Sequence, residues 1–535
     1  MRSSFFEFHV AISGVSTARA NLEVLSHNTA NAAIKGYSRQ VPQQRADYPL
    51  PLNNGKGMVG TGSKVYEVIQ MRDIFLDNKY WAQKSVLGEF TGKSTYLSML
   101  ETIFNEMGDN MGISSAITDF FAKSSDLSTT ANDATYRTNL IQSAGSMAQL
   151  VNSYGKLLHK QQSDANIELS ILVEQINSIG MQIVSLNKKI LQHEMAGDHA
   201  NDLRDQRARL VDELSDLVNV EARELDLGTD LNPNRKHYIV MLNGYDFINH
   251  YDMNTLGVVP RQPGDEHNYM DVEGLFDLAF TNNNVEFDIY HPRLRGQLKG
   301  VIDIRDGNGA SANALQPTID YKGIPFYMEK LNRFVRNLGM AIDQGRYLDG
   351  TSISTSTQIP GIIGHANGYD LNGEALGTLM FTYEGGPTEI DLPAMDNFYD
   401  DMNCLNFIAN PVLLSDPRRI NCAPDPLQGE SAHAVTLGFA TIFNDPSLFR
   451  EGRIKDFVTA LNSVLGIDAR QASNFEASYS DMTTAIDNQR INVSGVDLNE
   501  EMVNMIKNQQ LYQASAKLVS TINNIYDVLI NRLGA

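Results

Sequence analysis

Residues 498–535 read LNEEMVNMIKNQQLYQASAKLVSTINNIYDVLINRLGA, a segment in which apolar side chains recur at alternating spacings of four and three. This heptad pattern is typical of a helix that packs along other helices. One row contains Leu498, Met502, Met505, Gln509, Tyr512, Ala516, Val519, Asn523, Tyr526 and Ile530, and a second contains Leu511, Ser515, Leu518, Ile522, Ile525 and Leu529. Two adjacent rows form a face wider than a two-stranded coiled coil uses, so we expect more than one neighbouring helix.

The N-terminal segment has the same spacing and is the best upstream partner for this helix. Its main row contains Phe5, Phe8, Ile12, Val15, Arg19, Leu22, Ser26 and Thr29, with Ala11, Ala18 and Leu25 in an adjacent stripe. A helix over 498–535 would be roughly 57 Å long at about 1.5 Å per residue, too long for burial in a small domain. We therefore predict an assembly interface at Phe8, Ile12, Val15, Leu22, Leu25, Met505, Tyr512, Leu518, Val519, Ile522, Ile525, Tyr526 and Leu529.

Length and charge limit the possible functions. A chain of 535 residues is expected to form about three or four domains. The net charge is −21, from 43 basic and 64 acidic residues, and no cluster of Lys and Arg interrupts this acidic balance. We therefore expect neither nucleic acid nor a membrane surface as a partner. The apolar runs are shorter than the roughly 18 residues of a membrane span. Glu7 and His9 interrupt the only stretch that resembles a signal peptide, so we expect no cleavage there.

The chemical motifs in the chain are weak. The only two cysteines, Cys404 and Cys422, exclude a disulfide framework, while one disulfide and two buried thiols both remain open. His193 begins a zincin-like motif, but Gly197 replaces its second histidine. The glycines of 55–60 match a dinucleotide fingerprint, yet they lie in the Pro-rich segment 42–64, which we predict to be an extended linker before a strand at 65–69. We predict no catalytic residue, no metal and no cofactor.

The middle of the chain changes from helical to β periodicity. Residues 73–220 are predicted to be mostly helical, with a bundle seam at Leu169, Leu172, Ile176, Ile179, Ile183, Leu186 and Ile190 and a break at 195–201. For Asp205 and Arg207 we considered a catalytic acid with a cationic partner, and we favour a solvated, salt-bridged helix face. Asn243-Gly244 between two β-prone runs predicts a hairpin with a type I′ turn.

Three short motifs resemble the bacterial flagellar axial proteins, the family of rod, hook and hook-associated subunits. The matching residues are Asn31, Gly36, Tyr37 and Arg39 after the first helix, Asp205, Gln206 and Arg207 in the bundle, and Ser494, Gly495, Val496 and Asp497 before the last helix. Among the family, the hook-associated members that join the hook to the filament are the most similar.

This resemblance implies a structural axial subunit rather than an enzyme. It implies export from the cytoplasm by the flagellar type III apparatus, assembly through the terminal helices, and a final extracellular location at the hook-filament junction. The implied partners are copies of the chain in a ring or helical assembly, the hook protein, a second hook-associated junction protein, and a cytoplasmic export chaperone on the C-terminal helix. The alternatives are another rod or hook component, or an axial scaffold with an enzymatic insertion.

The expected fold is α+β and multidomain, with a terminal α-helical coiled coil, a central helical bundle and inserted β-rich modules. The expected boundaries are an N-terminal coiled-coil helix at 1–40 that pairs with 495–535, a first part of the helical-bundle domain at 41–225, a β-rich module at 226–305, a helix returning to the bundle at 306–349, a β-rich insertion at 350–428, the last part of the bundle at 429–494, and the C-terminal coiled-coil helix at 495–535.

Overall fold

A computed structural model describes residues 6–51, 57–104, 112–227, 236–310, 319–348, 356–390, 398–428 and 432–531, with side chains as far as Val528. Its helices are α1 (Phe6–Asn31), α2 (Ile74–Ile103), α3 (Ile113–Thr129), α4 (Ala134–Met195), α5 (Asn201–Leu217), α6 (Gln297–Asp306), α7 (Ile324–Gln344), α8 (Pro411–Ser415), α9 (Ala434–Asn444), α10 (Ile454–Ser494) and α11 (Leu498–Asn531).

The strands are short and lie in small antiparallel sheets. They are β1 (Gln40–Ala46), β2 (Leu50–Pro51), β3 (Met58–Val59), β4 (Ser63–Gln70), β5 (Val220–Asp226), β6 (Lys236–Leu242), β7 (Tyr245–Asn249), β8 (Asp252–Met253), β9 (Leu256–Pro260), β10 (Phe276–Phe280), β11 (Glu286–Phe287), β12 (Arg346–Leu348), β13 (Ser356–Gln358), β14 (Phe381–Tyr383) and β15 (Phe407–Ala409). Long terminal helices, a helical bundle and separate small sheets confirm the predicted α+β fold class.

Helix α4 is the central element of the bundle. Its 62 residues give a length of roughly 93 Å at about 1.5 Å per residue. Of its predicted seam, Leu169, Leu172, Ile176, Ile183, Leu186 and Ile190 are buried and Ile179 is partly buried. By length and composition α4 is the one helix in the described ranges that could cross a membrane, but its apolar side chains pack against protein. The apolar side chains of α4 therefore form part of the core of the bundle.

The β structure after α5 forms two sheets beside α4. One contains β5, β6, β7 and β8 in that order, and the other contains β11, β10 and β9. Strands β6 and β7 are joined by Asn243 and Gly244, whose φ angles are +48° and +85°. Both values are the positive φ that a type I′ turn requires, so the predicted hairpin is confirmed.

Residues 42–64 do not form the linker that we predicted. In the described residues 42–51 and 57–64, strand β1 pairs with β4 and β2 pairs with β3, and we call this two-stranded antiparallel structure the ribbon. Its base lies on α1, where the Thr17 hydroxyl donates to the Ser63 carbonyl at 3.0 Å and the Gln44 amide donates to the Asn21 oxygen at 2.8 Å. Each strand of a two-stranded ribbon has one free edge, and proline, which lacks an N–H, is tolerated at such an edge. The prolines therefore did not exclude strands.

The stretch 350–428 contains less β structure than we predicted. In its described part the strands are β13, β14 and β15, each three residues long. Side chains form hydrogen bonds with backbone carbonyl groups in the turns of this stretch. The Asn410 amide donates to the carbonyls of Leu379 and Thr388, both at 2.7 Å. Strand β14 pairs with β15, and just before β14 an isolated bridge joins Thr378 to Glu389.

This stretch also shares the core of the bundle instead of standing apart from it. The ring of Phe381 lies 5.6 Å from the ring of Phe120 on α3 and 4.8 Å from that of Phe407. The two cysteines are separate buried thiols, which answers the open question about a disulfide. Burial raises the pKa of the Cys404 thiol to about 12 and that of Cys422 to about 11, so both remain protonated and unreactive at neutral pH.

His365 is the histidine that an enzymatic insertion at 350–428 would have used. Its Nδ1 donates to the Thr378 carbonyl at 2.7 Å, and its Nε2 accepts from the Asn421 backbone N–H at 2.9 Å. Both ring nitrogens are therefore engaged by backbone groups, and the side chain is fully buried. The ring stabilises the packing of this stretch and has no nitrogen left to take a substrate proton.

We expect His365 to make folding sensitive to mild acid. Burial lowers its pKa from 6.5 to about 4, so the unfolded chain takes up a proton at a higher pH than the folded chain does. Its contribution to stability is complete above pH 6.5 and is lost as the pH falls toward 4, by about 3 kcal/mol in total. Urea unfolding at pH 7 and pH 4.5 measures this loss. His365→Asn should reduce the difference between the two pH values, whereas replacing the exposed His9 by Asn should not.

Candidate assembly interface and its joint

The terminal helices α1 and α11 pack side by side along a seam of small and polar residues. On α1 the seam contains Ala11, Gly14, Ala18, Asn21, Leu25 and Asn28. The Asn21 amide donates to the Asn508 oxygen at 2.9 Å, and a Cβ on Gly14 would lie 2.9 Å from the Ser515 hydroxyl. Asn508 and Ser515 are one heptad apart, as are Gly14 and Asn21. The short side chains therefore allow a close approach, and the asparagine pair fixes the register.

This seam is not the row that the sequence predicted as the main one. The predicted Ile12 is 41 % exposed, and Phe8, Val15 and Leu22 are only half-buried, while Ala11, Ala18 and Leu25 of the adjacent stripe are buried. The correction has a physical reason, because small residues let two backbones approach more closely than bulky apolar residues do.

The predicted interface residues of α11 fall into a half-buried group and an exposed group. Met505, Val519, Ile522 and Tyr526 are half-buried, whereas Tyr512, Leu518 and Ile525 are exposed, and the side chain of Leu529 lies outside the described residues. Leu511, Leu518 and Ile525 are each one heptad apart, so they form a continuous stripe, hereafter the outer stripe. An exposed apolar stripe of this length marks a binding surface.

A turn at Gly36 returns the chain from α1 to the bundle. Gly36 has a φ of +78°, and a Cβ there would lie 2.5 Å from Cγ of Arg209 on α5, so glycine is required on both grounds. The Tyr37 hydroxyl donates to Asn28 Oδ1 at 2.8 Å, while the Asn31 amide donates to the His27 carbonyl at 3.0 Å. Burial and the nearby carboxylate of Asp202 raise the pKa of Tyr37, which stays a neutral hydrogen-bond donor.

Asp205 holds this turn on the bundle. The Ser38 backbone N–H and hydroxyl donate to its two carboxylate oxygens at 2.8 and 2.7 Å. Arg207 donates to Asn187 Oδ1 at 3.0 Å and forms an ion pair with Glu224 at 3.1 Å. Asp205 and Arg207 are both buried, so the predicted solvated helix face was wrong for them; the neighbouring Gln206 is exposed. The sequence missed this because their partners come from distant segments.

Arg39 joins the turn to the C-terminal helix. Its backbone N–H donates to the Ser494 carbonyl at 2.7 Å, and its guanidinium forms ion pairs with Glu500 at 2.8 Å and Glu501 at 2.7 Å. Glu501 is fully buried in the first turn of α11, where the Asn28 amide also donates to it at 3.3 Å. The arginine therefore connects both terminal helices to one point on the bundle.

The C-terminal motif forms the break between α10 and α11. The Gly495 N–H donates to the Ile491 carbonyl at 2.7 Å, and a Cβ on Gly495 would lie 2.4 Å from that oxygen. Asp497 caps α11 by accepting from the Asn499 N–H at 2.8 Å. Ser494 is instead the last residue of α10, and Val496 is half-buried between the helices.

Removing the Arg39 guanidinium is expected to detach the terminal helices from the bundle. In Arg39→Ala the carboxylate of Glu501 would stay buried without its cation, at a cost of about 3–5 kcal/mol. Hydrogen exchange should then show faster exchange in α1 and α11 while α4 remains protected. Arg19→Ala is the matched control, since Arg19 is exposed and forms its ion pair with Glu23 on the same helix. Equal protection of α11 in both variants would contradict this role for Arg39.

The turn at Gly36–Arg39, Asp205 and the start of α11 meet at one place, hereafter the joint. A layer of ion pairs beneath the joint was not predicted. Arg72 pairs with Asp77 at 2.6 Å, and Arg490 pairs with Asp77 and Asp212, both at 3.0 Å. The Trp81 indole N–H also donates to Asp212 at 2.6 Å. These contacts connect α2, α5 and α10 directly under the Gly36 turn. No local pattern marks such residues, because each partner is far away in the sequence.

This arrangement suits a mechanical connection between the terminal helices and the bundle. The buried charges at the joint are paired with one another, and within the described ranges no group of three His, Cys, Asp or Glu side chains could hold a metal ion. The joint instead holds a pair of long helices, with an exposed apolar stripe, at a fixed place on a helical bundle.

Comparison with known proteins gives consistent results. Residues 97–344 match the family model for the flagellar hook-associated protein FlgK helical domain, and residues 487–533 match that for the flagellar basal body rod FlgEFG protein C-terminal region. Flagellar hook-associated protein 1 of Bacillus subtilis is 27 % identical, with 100 % of this chain and 99 % of the relative covered. The Escherichia coli protein of the same name is 26 % identical, with 97 % and 98 % covered.

A solved structure shares the fold. The flagellar hook junction protein FlgK of Burkholderia pseudomallei has a TM-score of 0.58 and 12 % sequence identity, and the match covers 78 % of this chain and 100 % of that one. The two family models, the relatives aligned along nearly the whole length, and the shared fold agree with the three motifs that meet at the joint. The chain belongs to the flagellar hook-associated protein 1 family.

Proposed function

We propose that this protein is a structural subunit of the bacterial flagellar axis that forms the junction between hook and filament. The observation that carries this proposal is the α1–α11 pair, which the joint fixes to the bundle while its outer stripe remains uncovered in the described structure. Repeated contacts through such a stripe between copies would produce a ring or a helical layer. The protein has no enzymatic role in this proposal.

The interface uses the predicted residues of both terminal helices, with the half-buried ones supporting the pair and the exposed ones binding the next copy. We propose the hook protein and a second hook-associated junction protein as the neighbours along the axis. Before assembly, a cytoplasmic export chaperone would cover the outer stripe, because an exposed apolar helix face promotes aggregation. Export by the flagellar type III apparatus, without cleavage, would then deliver the subunit outside the cell.

We keep the proposed domain boundaries with two changes. The ribbon belongs with the terminal helices, since its base contacts α1, and the stretch 350–428 belongs with the helical bundle, since Phe381 lies in the bundle core.

Electron microscopy of cells that lack this protein tests the proposal. We expect intact hooks without filaments, and restoration of filaments when the wild-type protein is supplied. Filaments of normal length on cells without the protein would overturn the proposal, and loss of the hooks themselves would assign the protein to an earlier part of the axis.

A further inference from the structure

Two helices on opposite flanks of the bundle expose one side each. Helix α10 packs on α2, α2 packs on α5 and α6, and both of these pack on α4, so α4 and α10 are the outer helices of this layer. Both run toward the joint, because α10 ends there and α5, which follows α4 after a short turn, begins there. The two outer helices are therefore parallel to each other.

Each of these exposed sides carries a row of three large apolar side chains. On α4 they are Ile167, Ile171 and Met181, hereafter the α4 row, and on α10 they are Ile467, Phe475 and Met482, hereafter the α10 row. All six side chains are exposed, Met181 by 62 % and Ile467 by 65 %. Each row spans roughly 21–23 Å at about 1.5 Å per residue, so the two rows match in length.

An aromatic cluster holds the centre of the α10 row in place. The Phe475 ring lies 4.9 Å from the ring of Phe90 on α2, and the Tyr479 ring stacks on Phe90 at 5.6 Å. The exposed Phe475 is therefore positioned before any partner arrives, which lowers the entropic cost of binding. Aromatic side chains of this kind are enriched in the centres of protein interfaces.

The exposed charges of the two rows are complementary when the helices are parallel. From the start of the α4 row toward the joint, the exposed charges are first negative and then positive, namely Glu174, Lys188 and Lys189. From the start of the α10 row the exposed charges are first positive and then negative, namely Arg470 and Asp481. Within the described ranges none of these five side chains forms an ion pair. Opposite charges in matching order favour one direction and one register of contact.

We propose that the α4 row of one copy packs against the α10 row of a second copy of this chain. This inference rests on the proposed assembly of the chain, to which it adds a lateral contact between bundles. In this contact Ile467 stands opposite Ile171. Arg470, three residues further along α10, then lies beside Glu174, three residues further along α4.

The two rows are suited to repeated contacts between copies. Copies related by rotation about an axis along the helices keep the parallel direction that the charges require. The contact is heterologous, because it uses opposite flanks of the bundle, so each copy can repeat it with the next around a ring or a helical layer. It also continues the interface of the terminal helices, since α10 leads directly into α11 at Gly495.

Chemical cross-linking in isolated flagella tests this contact. One full-length variant would carry both Ile171→Cys and Ile467→Cys, and a short bismaleimide would join thiols that lie close together. Both natural cysteines are buried, so they do not compete for the reagent. Because the introduced thiols lie on opposite flanks of one bundle, we expect links between copies, seen as a ladder of dimers and larger multiples in denaturing electrophoresis. Either substitution alone should give no ladder.

Two further pairs of substitutions complete the experiment. Met181→Cys with Met482→Cys supplies a second pair from the same rows, in case the first pair prevents assembly. Ile171→Cys with Leu437→Cys is the control, since Leu437 is equally accessible on α9 and belongs to neither row.

The outcomes separate this inference from the proposed function. Filaments that form normally without a ladder from either row pair would overturn the packing of the two rows, while leaving the junction role intact. A dimer from Ile171→Cys alone would also overturn it, since the contact would then join identical surfaces. The same ladder from the control pair would overturn it too, because the reaction would be unspecific. Absence of the wild-type protein from isolated flagella would instead contradict the junction role, and this inference would fail with it.

Discussion

Ile176→Asp is expected to unfold the helical bundle. Ile176 is 0 % exposed on α4 and belongs to the continuous apolar core of the bundle. The substitution removes a buried side chain and places a carboxylate without a partner in its position, at a combined cost on the order of 5 kcal/mol or more. Domains of this kind are stable by only about 5–15 kcal/mol, so the loss is comparable to the whole free energy of unfolding. Circular dichroism at 222 nm during heating measures the effect.

Ile171 supplies a control on the same helix. It is the same residue type but is 47 % exposed, so aspartate there stays in water. We expect Ile171→Asp to melt within about 2 °C of the wild type, because exposed substitutions change stability by only about 0.5 kcal/mol. Similar melting temperatures for the Ile176 and Ile171 variants would show that this seam does not support the core.

The sequence predicted those features that depend on local periodicity or on a single special residue. The Leu169–Ile190 seam follows from the helical repeat, and the β6–β7 hairpin follows from the positive φ that Asn243 and Gly244 accept. In each case the feature depends on residues that are close together in the sequence, so a local sequence pattern predicts it.

Features that depend on contacts between distant segments were not predictable. The ribbon was mistaken for a linker because its prolines argue against strands unless the free edge of each strand is known. Asp205 and Arg207 were placed in solvent because a charged residue with no local partner is usually exposed. Ser38 and Glu224, their actual partners, become neighbours only when α5 packs against the turn and the sheet. The ion pairs of Arg490 were missed for the same reason.

The pairing of α1 with α11 is an intermediate case. Periodicity predicted two amphipathic helices, but it ranked the bulky row above the small one. In contact, Gly14 and Ser515 approach closely, and a row of bulky residues would hold the helices further apart. The closest approach of the two helices within one chain is therefore made at small residues.

Leu518→Asp combined with Ile525→Asp is expected to abolish assembly while leaving the monomer folded. Both side chains lie in the outer stripe, and they are 57 % and 53 % exposed. Each would contribute about 1.5–3 kcal/mol if fully buried against another copy, and a carboxylate in its place would oppose burial. The melting temperature of the bundle should be unchanged, because neither residue belongs to its core. Electron microscopy of cells producing this variant should show hooks without filaments, and chaperone binding should weaken as well.

Two further variants separate the outer stripe from the rest of α11. Gln513→Asp with Ser520→Asp adds the same charge at exposed polar positions one heptad apart, so filaments should still form if the stripe is what binds. Ile522→Asp alters a half-buried residue, and it should loosen the pairing of α1 with α11 in the monomer, as faster hydrogen exchange in both helices. Normal filaments in cells that produce the Leu518→Asp, Ile525→Asp variant would contradict the role of the outer stripe in forming the junction. If the Gln513→Asp, Ser520→Asp variant also failed to assemble, the added negative charge on α11 would explain both failures. The result would then not support binding through the outer stripe.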